Sequence, residues 1–415
     1  MATPEPTDPA TAARLLARPA FTRFLVARFA ASLAFQIVSV AVGWQIYALT
    51  GSALDLGLIG LAQFGPMLAL TLVVGHVADR YDRRRIVAIC MAVEALAAIV
   101  LAAVSLNGAA NHVIVYAAII AISSARAFES PTLPALLPAV VPRFLIPRAT
   151  ALSTSSNQVA QIAGPALGGV GYGLGAGWVY AAAAACYVVG LVAMLGMKTE
   201  GPPARKEPTT WQTLFAGFTF IASRRILFGT LSLDLFAVLL GGATALLPVF
   251  AKDILQAGPW ALGALRAAPA IGAACTALIL SRRNLDGNIG LTLFGALFLF
   301  GLATIVFGYS QSIPVSVAAL VLLGAADSIS VVVRTSLVQL NTPNEMLGRV
   351  SAINMLFIGT SNQLGEFRAG VMAEVTGAVA AVVVGGFGTI AVAGLWMWWY
   401  PELRNLRSLD NVPHP

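Results

Sequence analysis

Apolar runs of about 20 residues recur along this chain between short polar or glycine- and proline-rich breaks, and a run of that length crosses a hydrocarbon core roughly 30 Å thick. Read between the breaks, the pattern predicts twelve membrane-spanning helices near residues 21–48, 53–77, 86–106, 112–138, 147–174, 177–197, 226–250, 259–280, 288–308, 312–339, 347–374 and 377–399. The longest connection carries Lys198, Glu200, Arg205, Lys206 and Glu207 among Pro202, Pro203 and Pro208, the composition of a polar linker. The expected architecture is an all-α membrane protein: a tail (1–20), a six-helix bundle (21–197), a linker (198–225), a second six-helix bundle (226–399) and a C-terminal tail (400–415).

Sliding the second half over the first supports that division. At an offset of 201 residues Pro142 meets Pro343, Arg148 meets Arg349, Ala151 meets Ala352, Gly164 meets Gly365 and Gly169 meets Gly370, all without a gap. At an offset of 203, Gly60 meets Gly263, Pro66 meets Pro269 and Arg80 meets Arg283. A parallel six-plus-six repeat is the plan of secondary transporters whose halves rock about a site near the bilayer midplane.

Composition agrees with the pattern. Of 415 residues 58% are hydrophobic and only 43 are charged (25 Lys and Arg, 18 Asp and Glu), and mean hydropathy is +0.83. A soluble protein carries about 25% charged residues, so soluble enzymes, nucleic-acid binders and disordered scaffolds are disfavoured together. The net charge of +7 reflects topology instead. Counting Arg23, Arg148 and Arg349 at the span ends with the adjoining connections, nineteen of the 25 basic residues fall in the termini and even-numbered connections, one (Lys252) in the opposite connections and five inside spans, which predicts cytoplasmic termini. The N-terminus lacks the short apolar core and cleavage site of a signal peptide, so the first span is expected to be retained. Cys90, Cys186 and Cys275 are isolated in apolar stretches and His76, His112 and His414 are scattered, so neither a disulfide framework nor a metal site is expected. There is no nucleotide-binding loop, and no cofactor is expected.

Two motifs carry more than topology. Between the second and third spans lies Gly75-His76-Val77-Ala78-Asp79-Arg80-Tyr81-Asp82-Arg83-Arg84-Arg85, a charged turn whose simplest role is to hold the loop in the cytoplasm. The fifth span contains Gly164-Pro165-Ala166-Leu167-Gly168-Gly169, where small residues permit close helix approach and the proline kinks the helix. The first resembles the Gly-x-x-x-Asp-Arg-x-Gly-Arg-Arg signature of the major facilitator superfamily, with Asp82 in place of the second glycine. The second resembles the Gly-Pro-x-x-Gly-Gly motif of proton-coupled exporters in that superfamily. With Leu49-Thr50-Gly51-Ser52-Ala53, these segments look most like the bacterial subgroup that includes the enterobactin exporter. The resemblance implies that Gly75, Asp79, Arg80 and Arg83 form a gating loop, with the N-terminal end of span 11 near Arg349 as partner for Asp79. It also implies that Gly164, Pro165, Gly168 and Gly169 form an antiporter-type helix element, and that spans 1, 4, 7 and 10 line a central cavity.

Charges inside spans are costly and need a partner, water or the interface. Arg28, Asp55 and Glu374 lie near span ends and are expected to be boundary residues, and Glu94 in the outlying third span is expected to support packing. Arg126 and Glu129, three residues apart, share a face of span 4, and the 201-residue offset lays Arg126 on Asp327 of span 10. The expectation is that Arg126, Glu129, Asp327 and Arg334 form one substrate- and proton-responsive network, as against a permanent ion pair that only joins helices. Asp234 in span 7 has no opposite charge at helical spacing, which suits a group that loads and releases protons. Arg266, Glu366 and Arg368 are expected behind these groups, Glu366 standing where Pro165 stands in the first half.

The functional expectation is a secondary exporter of a small amphipathic molecule, siderophore or drug-like, driven by proton antiport in a bacterial cytoplasmic membrane. The alternatives are a proton-coupled importer or facilitator, and a membrane receptor or enzyme on a similar scaffold. The latter lacks a nucleophile–base pair or soluble domain to support it. Expected partners are the lipid bilayer, the small-molecule substrate and protons, with no nucleic acid and a single chain as the working unit.

Overall fold

The computed structural model describes residues 15–197, 211–282 and 287–407. Among these the chain is helical, without strands. Twelve long helices are α1 (Pro19–Thr50), α2 (Ala53–Arg80), α3 (Arg83–Leu106), α4 (His112–Thr132), α5 (Ile146–Gly171), α6 (Ala176–Gly196), α7 (Arg225–Gly241), α8 (Pro259–Leu280), α9 (Ile289–Tyr309), α10 (Ile313–Leu340), α11 (Asn344–Thr376) and α12 (Ala378–Trp399). Ten segments are long and apolar enough to cross a membrane, and α5 and α11 are the two long helices outside that set. Both are rich in Ser, Thr, Asn, Gln or charge, yet at 26 and 33 residues they match the length of their neighbours.

Two departures from the sequence expectation have local causes. The segment 198–225, expected as a linker, contains a helix, Trp211–Ser223, which at 13 residues is too short to read as a span. Span 7 is broken: α7 stops at Gly241, and short helical pieces at Thr244–Leu246 and Leu247–Val249 lead into a π-helical turn, Phe250–Ile254. Gly241 and Gly242 offer little resistance to such a break, and Pro248 cannot donate a helical hydrogen bond.

The chain packs as two compact units, Met1–Ala41 with Pro66–Pro208, and Val42–Gly65 with Thr209–Pro415. Residues 42–65, which the repeat assigns to the first bundle, belong to the second unit.

In the first unit α3 packs against α4 and α6, and α5 lies on α1. Side chains of α3 and α6, among them Met91, Leu101, Tyr180, Tyr187 and Met194, are wholly buried. The α1–α5 contact depends on the missing side chains of the exporter-type motif. A Cβ at Gly168 would lie 3.1 Å from the Ile37 carbonyl oxygen and 3.2 Å from its Cα, and one at Gly164 would lie 2.5 Å from the Gln36 Cβ. Beside this glycine face runs a polar ladder in which Arg28 donates to Ser153 Oγ at 2.8 Å and Ser32 donates to Asn157 Oδ1 at 2.6 Å. Arg28 is therefore an interhelical donor as well as a residue near a span end.

Asp82 has a defined role in the charged turn. Its extended backbone (φ −60°, ψ 114°) and side chain cap α3, with Oδ1 accepting from the Arg84 amide at 2.9 Å, and Oδ2 lies 3.9 Å from Arg85 Nε. The usual glycine is thus replaced by an N-cap that satisfies a helix-terminal amide. Asp82→Ala is expected to cost about 1 kcal/mol while Asp82→Asn costs far less, as read from thermal stability of the purified protein.

In the second unit, Leu233, Leu293, Phe294, Val333, Leu337 and Val392 join α7, α9, α10 and α12 in one core. Residues 53–65 of α2 cross α11 at glycines. A Cβ at Gly370 would lie 2.6 Å from Gly57 Cα and 2.8 Å from the Ala53 carbonyl oxygen, and these obstacles are backbone that cannot rotate away. Gly370→Val is expected to destabilise the protein by at least about 1–3 kcal/mol, the usual penalty of overpacking, seen as loss of the monodisperse peak after mild heating. The Ser52 hydroxyl (3.3 Å) and the Leu54 amide (3.2 Å) donate to Glu374 Oε2, so Glu374 caps α2 as well as lying near a span end.

Candidate substrate and proton sites

Three groups of charged side chains sit among the apolar helices, one in the first unit and two in the second.

The first is built on α3, α4 and α6. Arg126 and Glu129 are one turn apart on α4, with Arg126 Nη1 3.8 Å from Glu129 Oε2. That is an ion pair but too long for a hydrogen bond. The guanidinium also lies over the Phe35 ring of α1, 3.8 Å from its centroid, so the cation is divided between an aromatic face and a carboxylate. Glu94 of α3, expected to support packing, is 0% exposed and approaches Glu129 within hydrogen-bonding reach. Among the described residues neither Glu94 oxygen has a donor, and Glu129 Oε2 and the Tyr187 hydroxyl are likewise without hydrogen-bond partners. Ile86, Cys90, Ala125 and Phe128 form an apolar patch on α3 and α4. Sequence spacing missed Glu94 because its neighbours come from other helices. The signal available was a single glutamate in the middle of a 24-residue apolar helix.

The second group is the Asp234–Arg334 ion pair between α7 and α10. Asp234 is 6% and Arg334 4% exposed. The sequence showed no partner for Asp234 at helical spacing, and the structure supplies one from another helix, so Asp234 is not the isolated carboxylate expected. Arg334 is correspondingly committed to Asp234. Asp327, two turns earlier on α10, is half-buried and belongs to the second unit, whereas Arg126 belongs to the first. No described ion pair includes Asp327.

The third group surrounds the break in α7. Glu366 of α11 accepts from Thr244 Oγ1 at 3.2 Å and interacts electrostatically with Arg266 of α8. Gly60 of α2 leaves room for that carboxylate, since a Cβ there would lie 3.1 Å from Glu366 Oε2. Arg368, two residues on, donates to the Leu240 carbonyl oxygen at 2.5 Å. Carbonyls in the last turn of a helix have no intrahelical donor, so Arg368 satisfies an acceptor that the break in α7 exposes. The three residues expected behind the main site therefore support the discontinuous helix.

In the charged turn, Arg83 donates to the Ala135 carbonyl oxygen at 3.2 Å and Arg84 to that of Met197, both within the first unit, while Arg80 is exposed. Gly75 and Asp79 lie within α2, and the Asp79 side chain lies outside what is described. Pro165, Gly164, Gly168 and Gly169 are all buried.

A family model described as "transmembrane secretion effector" matches residues 10–414. Among curated proteins, the chain is 27% identical over 400 residues to a Citrobacter koseri protein named enterobactin exporter EntS, covering 96% of each chain. It is 26% identical over 395 residues to the protein of that name from Escherichia coli strain K12, covering 95% of each. Among solved structures, the nucleoside transporter NupG superposes with a TM-score of 0.69 at 16% identity, covering 92% of this chain and 98% of that one. A bacterial homologue of the human lysosomal transporter Spinster, inward-facing and occupied, gives 0.72 at 14% identity, covering 96% and 99%.

Proposed function

The chain belongs to the transmembrane secretion effector family of major facilitator transporters, and from that membership we propose that it exports a small amphipathic organic molecule in exchange for protons. It is a multi-pass membrane transporter and not an enzyme. Export is supported by the Gly164-Pro165-x-x-Gly168-Gly169 motif packed on α1 and by relatives named as enterobactin exporters. A catecholate siderophore or a similar aromatic, hydrogen-bonding compound is the cargo class that fits a guanidinium stacked on an aromatic ring. The membrane is the bacterial cytoplasmic membrane, with both termini inside, as the 19 basic residues on one side favour.

The observation that carries proton coupling is the set of buried charges on α3, α4, α7 and α10, namely Glu94, Glu129, Asp234 and Arg334, with the partly exposed Arg126 beside Glu129. Helices that merely had to cross the bilayer would not keep them, because each costs free energy in hydrocarbon. In this reading the cargo meets Arg126 and protons meet the carboxylates. The halves alternate in access, and Asp79, Arg80 and Arg83 take the gating role their motif implies.

The test is intracellular accumulation of enterobactin, ethidium and tetracycline in cells with and without the protein, repeated after collapse of the proton gradient. Lower accumulation of at least one compound, lost with the gradient, is expected. Unchanged accumulation of all three, or export that survives the collapse, contradicts the proposal.

A further inference from the structure

Glu94 and Glu129 stand out among the buried charges. Two carboxyl groups on neighbouring helices lie within hydrogen-bonding reach of each other, inside the first unit, at 0% and 3% exposure. A carboxylate only accepts hydrogen bonds, so two ionised carboxylates would face each other with no donor between them. Among the described residues neither Glu94 oxygen has a donor, and one Glu129 oxygen is likewise unpartnered. Among the described residues, the charged and titratable groups around the pair are Arg126 on α4, Cys90 on α3 and Tyr187 on α6. Of these Arg126 alone is cationic, and it stands 3.8 Å from Glu129 with its face on the Phe35 ring. Two acids therefore share one distant base. One proton held between the carboxyl groups supplies the missing donor and balances the charge.

We propose that Glu94 and Glu129 form a carboxyl pair that holds a single proton between them, and that this pair is the proton-carrying site of transport. The assignment rests on the proton-antiport reading above. Exposure falls along the group: the Arg126 side chain is 28% exposed, Glu129 is nearly buried, and Glu94 is wholly buried. Cargo therefore reaches Arg126 first. An aromatic cargo that takes the Phe35 face displaces the guanidinium from the ring and drives it against the carboxylates. The second negative charge is then compensated by Arg126, and the proton leaves to cytoplasmic water. When cargo has left on the outer side, Arg126 returns to the ring and the pair takes up a proton from outside. One proton is traded for one cargo molecule, the sign that antiport requires.

The test is infrared difference spectroscopy on the full-length protein in lipid nanodiscs at neutral pH, with and without deuterium exchange. The native protein is expected to show the carbonyl stretch of a protonated carboxyl, which Glu94→Gln and Glu129→Gln each remove, losing the intensity of about one group. A proton carried by Glu94 alone would survive Glu129→Gln and overturn the shared site, as would a spectrum in which neither variant loses intensity. In transport, Glu94→Gln is expected to abolish gradient-driven movement of the panel compound that the native protein moves, whether enterobactin, ethidium or tetracycline, while keeping exchange of labelled for unlabelled compound across the membrane. Gradient-driven transport by Glu94→Gln at the native rate overturns the assignment and leaves antiport standing. Native transport without any gradient dependence overturns both. If Glu94→Gln does not fold, the native spectrum and Glu129→Gln decide the matter.

Discussion

Asp234→Ala is expected to leave little folded protein. Breaking a buried ion pair by removing one partner leaves an uncompensated charge and costs about 3–5 kcal/mol. Arg334, at 4% exposure and paired to Asp234, would be left in that state. Arg334→Ala should have a similar effect from the other side. The double variant Asp234→Leu, Arg334→Met separates fold from function, because an apolar pair of similar volume is often neutral or stabilising in place of a buried ion pair. Its yield and thermal stability are expected to return to near native while transport stays at least about tenfold down, one factor of ten corresponding to about 1.4 kcal/mol. Native transport by the double variant would reduce the pair to a strut between α7 and α10.

Arg126→Gln is expected to do the opposite, keeping the fold and losing function. The Arg126 side chain is partly exposed and its pair with Glu129 is longer than a hydrogen bond, so less stability rests on it than on Asp234–Arg334. Its position between Phe35 and the carboxylates makes it the group through which cargo and proton communicate. Melting temperature should fall by only a few degrees, while gradient-driven transport in vesicles drops by at least about tenfold, again a loss of about 1.4 kcal/mol. Arg126→Lys should recover part of it, since an ammonium keeps the charge but not the planar face that stacks on Phe35. Transport by Arg126→Gln at the native rate would remove Arg126 from the mechanism.

Much of the architecture is legible in the sequence because a span has a physical length and a compositional signature. The broken seventh span is partly legible too, in Gly241, Gly242 and Pro248. The helix Trp211–Ser223 is not, since its short apolar stretch sits beside a proline-rich linker. The candidate sites divide in the same way. Arg126 and Glu129 are legible as a pair because they lie one helical turn apart. Asp234 with Arg334, Glu366 with Arg266, and Glu94 with Glu129 are not, because each pair joins two helices whose facing cannot be deduced from a periodicity that apolar residues on all sides erase. Asp82 shows a third case. As a departure from a glycine motif it looks like a weakness in the turn, and the structure shows it capping α3.

The central claim is that cargo and protons move in opposite directions through one protein. Its most direct test is a vesicle assay with purified protein in liposomes containing a pH-sensitive dye, made acidic inside, to which the panel compound moved in cells is added outside. Uptake of the compound should be accompanied by alkalinisation of the lumen. Both should stop when a protonophore has dissipated the gradient, and both should be absent from empty liposomes. Uptake at full rate with no change in lumenal pH would contradict the account.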